Sequence, residues 1–378
     1  MSGAEFAGAG RRPVNPSNLF GVDYRVEAKR FQSLGFPIID AHSHVHGVRA
    51  AALLREAMDL FGIGEIWSMT ALDQVDSVRG VLGDRVRFIA IPSFASKDRR
   101  AVHGMAYIET IRAFHAQGAR IVKFWSAPRG IDLGIESGQP DLLRLDAPHR
   151  RAAMDEAAAL GMSFMVHVAD PDTWFATRYA DTSRYGTKRS HYEPLERLLA
   201  IYPIPWIAAH LGGWPEDLAF LSGLLARHAN LRLDASATKW MVREVSKHPR
   251  ELVRAFMERW RGRILFGSDI VTTDDHLEAK SEKTEMAAKA NTAEDAFDLY
   301  ASRYWALRTL WEGATEMDSP ISDPDLAMVD PARHSPKDAP MLRGMNLPIA
   351  LLRTFYHDAA TTVMSAARGN PAATAARP

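Results

Sequence analysis

The chain of 378 residues contains no cysteine, which excludes disulfides and thiolate metal sites and leaves histidine and carboxylate as the metal-binding side chains available. No apolar run reaches the roughly 18 to 20 residues that a membrane-crossing helix needs. Neither charge is in excess: 46 lysines and arginines balance 46 aspartates and glutamates, so nothing in the overall charge points to nucleic acid or an anionic membrane. The opening segment MSGAEFAGAGRRPVNP carries two arginines with no apolar stretch behind them and does not read as a secretory leader. A cytoplasmic location and small-molecule partners are therefore expected. Two further motifs are missing. GAGRR follows no strand and opens no helix, so it is no nucleotide loop, and no serine sits in a G-x-S-x-G elbow, which argues against a serine hydrolase.

What is present is a repeated alternation of strand and helix. Hydrophobic residues make up 47% of the chain, enough for a large core. Short apolar, β-branched runs bounded by turn residues predict eight strands at about 38–42, 65–69, 87–92, 119–124, 163–167, 206–210, 232–235 and 264–268. Helical patterns such as RAAALLREAMDLFG and PEDLAFLSGLLARH lie between them, several ending at glycine. Strand then helix, eight times, predicts a single (β/α)8 TIM barrel of the α/β class, and such barrels exceed about 250 residues without splitting. Residues 1–36 read as a partly ordered N-terminal arm and 37–368 as the barrel. A long insertion is expected after strand 8 at 270–340, a helix at the C-terminus, and a disordered tail at 369–378.

Four predicted strand ends carry metal-ligating residues: His42 and His44 in IIDAHSHVHG, His167 in MSFMVHVAD, His210 in WIAAHLGG, and Asp269 in ILFGSDI. Residues i and i+2 of a strand share a face, so His42 and His44 can grip one ion from the same side. In a parallel barrel the C-terminal strand ends surround one mouth, where catalytic residues lie. His42, His44, His167 and Asp269 are the expected ligands of one divalent ion, with His210 beside them as a ligand or water-positioning group. Each has a bland alternative. A lone strand-end histidine is often an ordinary core residue, and Asp269 would also serve as a helix N-cap, although a cap does not explain the apolar strand before it. Asp269 is the expected general base, with His210 the next candidate, because a carboxylate touching both ion and water can accept a proton and deliver it to the leaving group. His46 falls past the strand end and reads as a loop residue.

These strings, together with Gly212, Gly213, the LFGSD string and the closing LRGMNLPIALLRTFYHDAA, resemble the amidohydrolase superfamily over about residues 38–364. The branch they resemble is amidohydrolase 2, which also contains non-oxidative decarboxylases similar to aminocarboxymuconate semialdehyde decarboxylase. The resemblance implies a metal-dependent enzyme whose last helix packs under the barrel; a homodimer is common in such families. It implies hydrolysis of an amide, lactone or similar bond by metal-activated water, or, as the alternative, loss of carbon dioxide from an aromatic or unsaturated carboxylic acid. Zinc is the expected ion, with manganese the alternative. Lys123 ends the fourth strand, where binuclear relatives carry a carbamylated lysine bridging two ions. An unmodified amine that binds a substrate carboxylate, with one ion per chain, is the preferred reading. Trp125, Trp214 and Trp240 follow strands 4, 6 and 7, and Arg178 lies on the aromatic and cationic loop after strand 5; these are the remaining candidates for substrate binding. A barrel that only binds a ligand is the third reading, disfavoured because every expected ligand is present.

Overall fold

The computed structural model describes residues 13–31, 33–94 and 96–368. Its core is a parallel sheet of β1 (Ile38–His44), β2 (Ile63–Ser68), β3 (Val86–Ala90), β4 (Ile121–Trp125), β5 (Ser163–His167), β6 (Trp206–Ala208), β7 (Leu231–Ala235), β8 (Ile264–Phe266) and β9 (Ile270–Val271). The hydrogen-bonded order runs from β8 through β7 down to β1 and then β9. The eighth strand is broken in two, and each half pairs with a different neighbour: Leu233 of β7 faces Ile264, whereas Ser43 and His44 of β1 face Ile270 and Val271. That division closes the barrel. Ile270 and Val271 therefore belong to the barrel wall, although the sequence placed them at the start of the insertion. The break falls across Gly267–Asp269, where Asp269 turns to φ 59°, and Gly267 lets the chain pass close, since a Cβ there would lie 2.9 Å from the Cβ atoms of both His42 and Ser236.

Eight ring helices follow the strands in turn: α1 (Val48–Leu60), α2 (Val75–Leu82), α3 (Met105–Ala116), α4 (Pro148–Ala159), α5 (Tyr192–Ile201), α6 (Leu218–Arg227), α7 (Arg250–Arg259) and α8 (Ala293–Glu312). In α1 the buried residues are Ala50, Ala51, Leu54, Ala57 and Met58, the three-to-four spacing of a helix with one face on a core. Helix α8 arises inside the predicted insertion but packs on α1 and completes the ring. It is buried on nearly every side, and several of its polar side chains there are hydrogen-bonded. Tyr304 donates to Asp40 (2.9 Å), and Asp298 accepts from Asn18 (2.9 Å). The second bond belongs to the docked arm, where Asn18 also donates to the Val22 carbonyl and Tyr24 to the Ser17 carbonyl. The arm's first 12 residues and the tail expected at 369–378 lie outside the described residues.

The rest of the insertion holds two short turns before α8, Asp274–Leu277 and Ala287–Lys289, and after it a small hairpin, β10 (Glu316–Asp318) against β11 (Met341–Arg343), around an aspartate- and proline-rich loop. The final helical segment, 349–368, contains one π-helical turn, Thr354–Asp358. Phe355 and Tyr356 pack on Phe266 at 5.9 and 5.0 Å, and His357 Nδ1 donates to the Pro37 carbonyl before β1. The segment thus lies under the barrel, opposite the mouth. No helix among the described residues is long and apolar enough to cross a membrane.

Candidate metal centre

Three side chains from three strands come closest together at the mouth. His42, His210 and Asp269 each offer one ligand atom, and those atoms all lie within 4.8 Å of one another. His44 joins from the next outward position of β1, its Nε2 lying 3.3 Å from Asp269 Oδ1, while His42 Nε2 lies 3.5 Å from the same oxygen. His167 completes the group through its ring, 4.6 Å from that of His210. The tightest triplet contains His210, which the sequence set beside the ligands rather than among them.

The backbone at these points is unusual. His210 and Asp269 adopt φ of 60° and 59°, a left-handed conformation that non-glycine residues rarely hold. Buried hydrogen bonds hold both there: His210 N donates to Asp234 Oδ1 (2.9 Å) and Asp269 N to the His42 carbonyl (2.8 Å). Gly213 permits the turn after His210, since a Cβ would meet the Ala169 carbonyl oxygen at 2.0 Å.

One buried carboxylate organises two of the imidazoles. Asp234 is fully buried at the tip of β7; its Oδ2 accepts from His42 Nδ1 (2.8 Å), and its Oδ1 accepts from the backbone of His210 and from Ser236. Ser236 Oγ in turn lies 2.8 Å from His210 Nδ1. His167 Nε2 is engaged by Asp170 Oδ1 (2.9 Å), which is fixed from its other oxygen by Tyr179 (2.8 Å). His42, His167 and His210 thus each have one nitrogen tied to an oxygen partner, leaving the other free. A set of imidazoles with one carboxylate suits a borderline divalent cation, so the residues present fit such an ion. Asp234, Ser236, Asp170 and Tyr179 were missed in the sequence. Asp234 had a signal, since it ends LRLDA at the same strand tip as the histidines; Asp170 and Tyr179 had none, because their roles depend on a loop folding back.

Burial sets the charge states. It pushes the His42 imidazole down, helped by Lys123, and holds His210 well below the usual histidine range, helped by His167. Burial would raise the carboxyls of Asp234 and Asp269, but the surrounding histidines outweigh it and hold both well below the ordinary range. Asp40 beneath the site, hydrogen-bonded by Ser268 and Tyr304, is instead pushed up to about 7 by burial. Lys123 is buried with its Nζ 3.5 Å from His42 Nε2, and burial brings its amine down to about 8 against the pull of Asp234 and Asp269.

The other candidates separate. Trp125 stands edge-on to His167 at 6.2 Å, and Trp240 to His210 at 5.5 Å, so both border the centre. Trp214 packs on Phe220 (4.6 Å) and Tyr192 (5.7 Å), and Arg178 stacks over Trp174 at 4.4 Å; neither is brought to the histidines. His46 is half-buried, its backbone bonded to Thr272, and burial brings its imidazole down to about 4. Two surface hollows, of about 320 Å³ beside Phe31 and Trp305 and about 490 Å³ beside Phe94 and Arg99, do not reach the histidines.

Comparison with known proteins identifies one family. The model of the family described as Amidohydrolase matches residues 70–361, a span that begins after β1 and includes His167, His210, Asp234 and Asp269. No curated protein matches the chain. Among solved structures, Agrobacterium tumefaciens ATU3138 in its apo form is 13% identical, with 70% of this chain and 92% of that chain covered at a TM-score of 0.38. The 5-carboxyvanillate decarboxylase of Novosphingobium aromaticivorans, complexed with manganese and 4-hydroxy-3-methoxy-5-nitrobenzoic acid, is 11% identical, with 72% and 91% covered at a TM-score of 0.41.

Proposed function

The chain belongs to the amidohydrolase family whose model spans residues 70–361, and from that premise we propose that it is a metal-dependent hydrolase of a small-molecule amide, lactone or similar bond. The observation that carries this reading is the convergence of His42, His210 and Asp269 within 4.8 Å at the barrel mouth. His42, His44, His167 and Asp269 would hold one divalent ion, zinc or alternatively manganese, with His210 sharing the centre. When bound, such an ion supplies Lewis acidity and makes water a nucleophile near neutral pH. Asp269, held ionised and with about 30% of its side chain exposed, accepts the proton of the attacking water and returns it to the leaving group. Asp234 keeps His42 and His210 in place while this happens. Trp125 and Trp240 form walls for a flat substrate. Lys123 is read as an unmodified amine, so that one ion per chain suffices.

A specific observation favours a second reading, decarboxylation of an aromatic or unsaturated carboxylic acid. The Lys123 amine, 3.5 Å from His42 Nε2, would stand beside a carboxylate placed at the centre. Elemental analysis, combined with a screen of lactones, amides and aromatic carboxylates that reads carbon dioxide separately from hydrolysis, tests both. The expected result is about one ion per chain and turnover of an amide or lactone without carbon dioxide. Carbon dioxide release alone would replace the hydrolase with the lyase; a content near two ions that falls in Lys123→Ala would replace the single ion with a carbamate-bridged pair.

A further inference from the structure

Residues 171–191 connect β5 to α5 and fold on themselves. Tyr179 packs against Phe175 (5.4 Å), Trp174 (5.9 Å) and Tyr185 (5.0 Å), all of the same loop. Loops packed by their own side chains can open and close as one body. Trp174 sets this one beside the centre, its ring 5.6 Å from that of Trp240, which borders His210.

The loop meets the rest of the protein in two ways. Around its rim it is tied to three neighbours: Arg184 (2.8 Å) and Tyr185 (3.0 Å) donate to Asp132 after β4, Asp172 N to Glu216 after β6 (2.7 Å), and Trp174 Nε1 to Asp325 of the insertion (2.8 Å). These ties set where the loop rests. The inward contact reaches the centre itself. Tyr179 is buried and donates to Asp170 Oδ2 (2.8 Å), and the buried Asp170 lies 2.9 Å from His167 Nε2 through its other oxygen. Asp170 stays with the barrel wall, because the Ala169 before it is pressed against Gly213 and Pro171 follows at once. Tyr179, nine residues further on, travels with the loop. Opening the loop therefore takes a hydrogen bond from a buried carboxylate, which then holds His167 less firmly.

We propose that Tyr179 is a positioning residue of the metal centre: acting through Asp170 on His167, it makes closure of residues 171–191 and occupation of the centre by a divalent ion favour one another. The proposal rests on the reading of the histidine cluster as a metal centre and deepens it, because the loop becomes part of the site. Such coupling is reciprocal. If closure tightens the ion by some factor, the ion must shift the loop towards closure by the same factor. A tyrosine that served only to fold the loop would show no such exchange.

The test is amide hydrogen exchange in residues 172–191 of the full chain, stripped of metal and loaded with zinc, alongside zinc affinity measured by competition with a chromophoric chelator. The amides of Tyr179 and Tyr185 report the loop, since each is bonded within it, to the carbonyls of Trp174 and Asp181 at 2.9 Å. Zinc is expected to slow their exchange about tenfold. Tyr179→Phe should weaken zinc binding about tenfold, the worth of one hydrogen bond to a charged group, and abolish the slowing. Arg184→Met cuts a rim tie and leaves the Asp170 link intact; it should quicken exchange in both states, keep the slowing and hold zinc affinity within about twofold. Should Tyr179→Phe fail to fold, Asp170→Asn keeps the shape of the link and is expected to lose the slowing at saturating zinc. Zinc that binds the unsubstituted chain without slowing the loop, or unchanged affinity and preserved slowing in Tyr179→Phe, would overturn the coupling and leave the metal centre standing. Loss of the slowing in Arg184→Met as complete as in Tyr179→Phe would overturn it too, since any loosening of the loop would then suffice. No zinc bound by the unsubstituted chain would overturn the metal-centre reading, and the coupling with it.

Discussion

The two halves of the mouth are built on opposite principles. On the strand side, His42, His167 and His210 are each tied through one nitrogen to a buried oxygen, and the carboxylates of Asp234 and Asp170 are saturated by hydrogen bonds of their own. On the insertion side, Lys239, Lys289 and Arg303 lie half-buried without an ion pair among the described residues; Asp323 and Asp325 act on Lys239, and Asp269 and Glu285 on Lys289, only at longer range. The first arrangement is preorganised for an ion, whereas on the second side Arg303 and Lys289 are held by hydroxyl and sulfur contacts. Rigid strand ends suit a permanent ligand, whose geometry must not drift. The division sorts the effects that substitutions should have.

The largest effect should come from Asp269→Asn, which leaves the strand half assembled but removes its proton acceptor. Asparagine tolerates the left-handed φ of 59° at this position, so the exchange adds little backbone strain. The kcat should fall by about two orders of magnitude or more with metal content nearly intact. Undiminished turnover would move the base to His210.

Asp234→Asn should separate the halves more sharply. It removes the charge that fixes His42 Nδ1 and turns one oxygen toward His210 N into an amide that can present the wrong group. A tenfold to hundredfold loss of metal affinity is expected, on the order seen when a carboxylate behind a ligating histidine is lost. A metal affinity equal to that of the unsubstituted protein would show that the imidazoles are positioned by the barrel wall rather than by Asp234.

The unequal visibility of the two halves in the sequence has the same origin. The strand half is periodic: apolar runs ending in histidine or aspartate locate His42, His44, His167, His210 and Asp269 on one rim, and the structure brings His42, His210 and Asp269 together. Asp234 ends its strand in the same manner and was within reach of the same reasoning. The insertion half depends on tertiary packing. The segment of α8 reads in the sequence as an amphipathic helix within the insertion, but only its packing on α1 makes it the eighth ring helix. The break of the eighth strand at Gly267 was equally hidden, because LFGSD reads as one continuous strand until the Cβ contacts with His42 and Ser236 are known. Trp214 and Arg178 stand on loops whose direction tertiary packing sets, and each packs on another aromatic ring.

A smaller effect, confined to the insertion, is expected from Asp323→Ala. Arg243 would keep Glu244 and, at 3.2 Å, Asp325, so the substitution weakens the buried clamp without stripping it of counter-charge. A stability loss of about 1 to 3 kcal/mol is expected, together with faster proteolysis in the loop between β10 and β11. Metal content should not change. If it does, the clamp supports the strand half as well, and the two halves are not independent.

The smallest effect is a pH dependence of stability carried by Lys289. The amine faces Lys239 from the helix after β7, Arg303 from α8, Asp269 from the broken eighth strand, and Glu285 and Met286 from its own segment; burial and the two cations bring it from 10.5 to about 8. Below about 8 the lysine is charged in both folded and unfolded chains, and the folded protein bears the cost of burying that charge. As pH rises from about 8 towards 10.5 the folded chain sheds the proton while the unfolded chain keeps it, so stability increases through that window and levels off above it. Urea denaturation of the unsubstituted chain and of Lys289→Met at several pH values isolates the contribution as the difference between the two. A difference that stays flat would mean that Lys289 is solvated like an ordinary surface lysine and that its burial carries no cost.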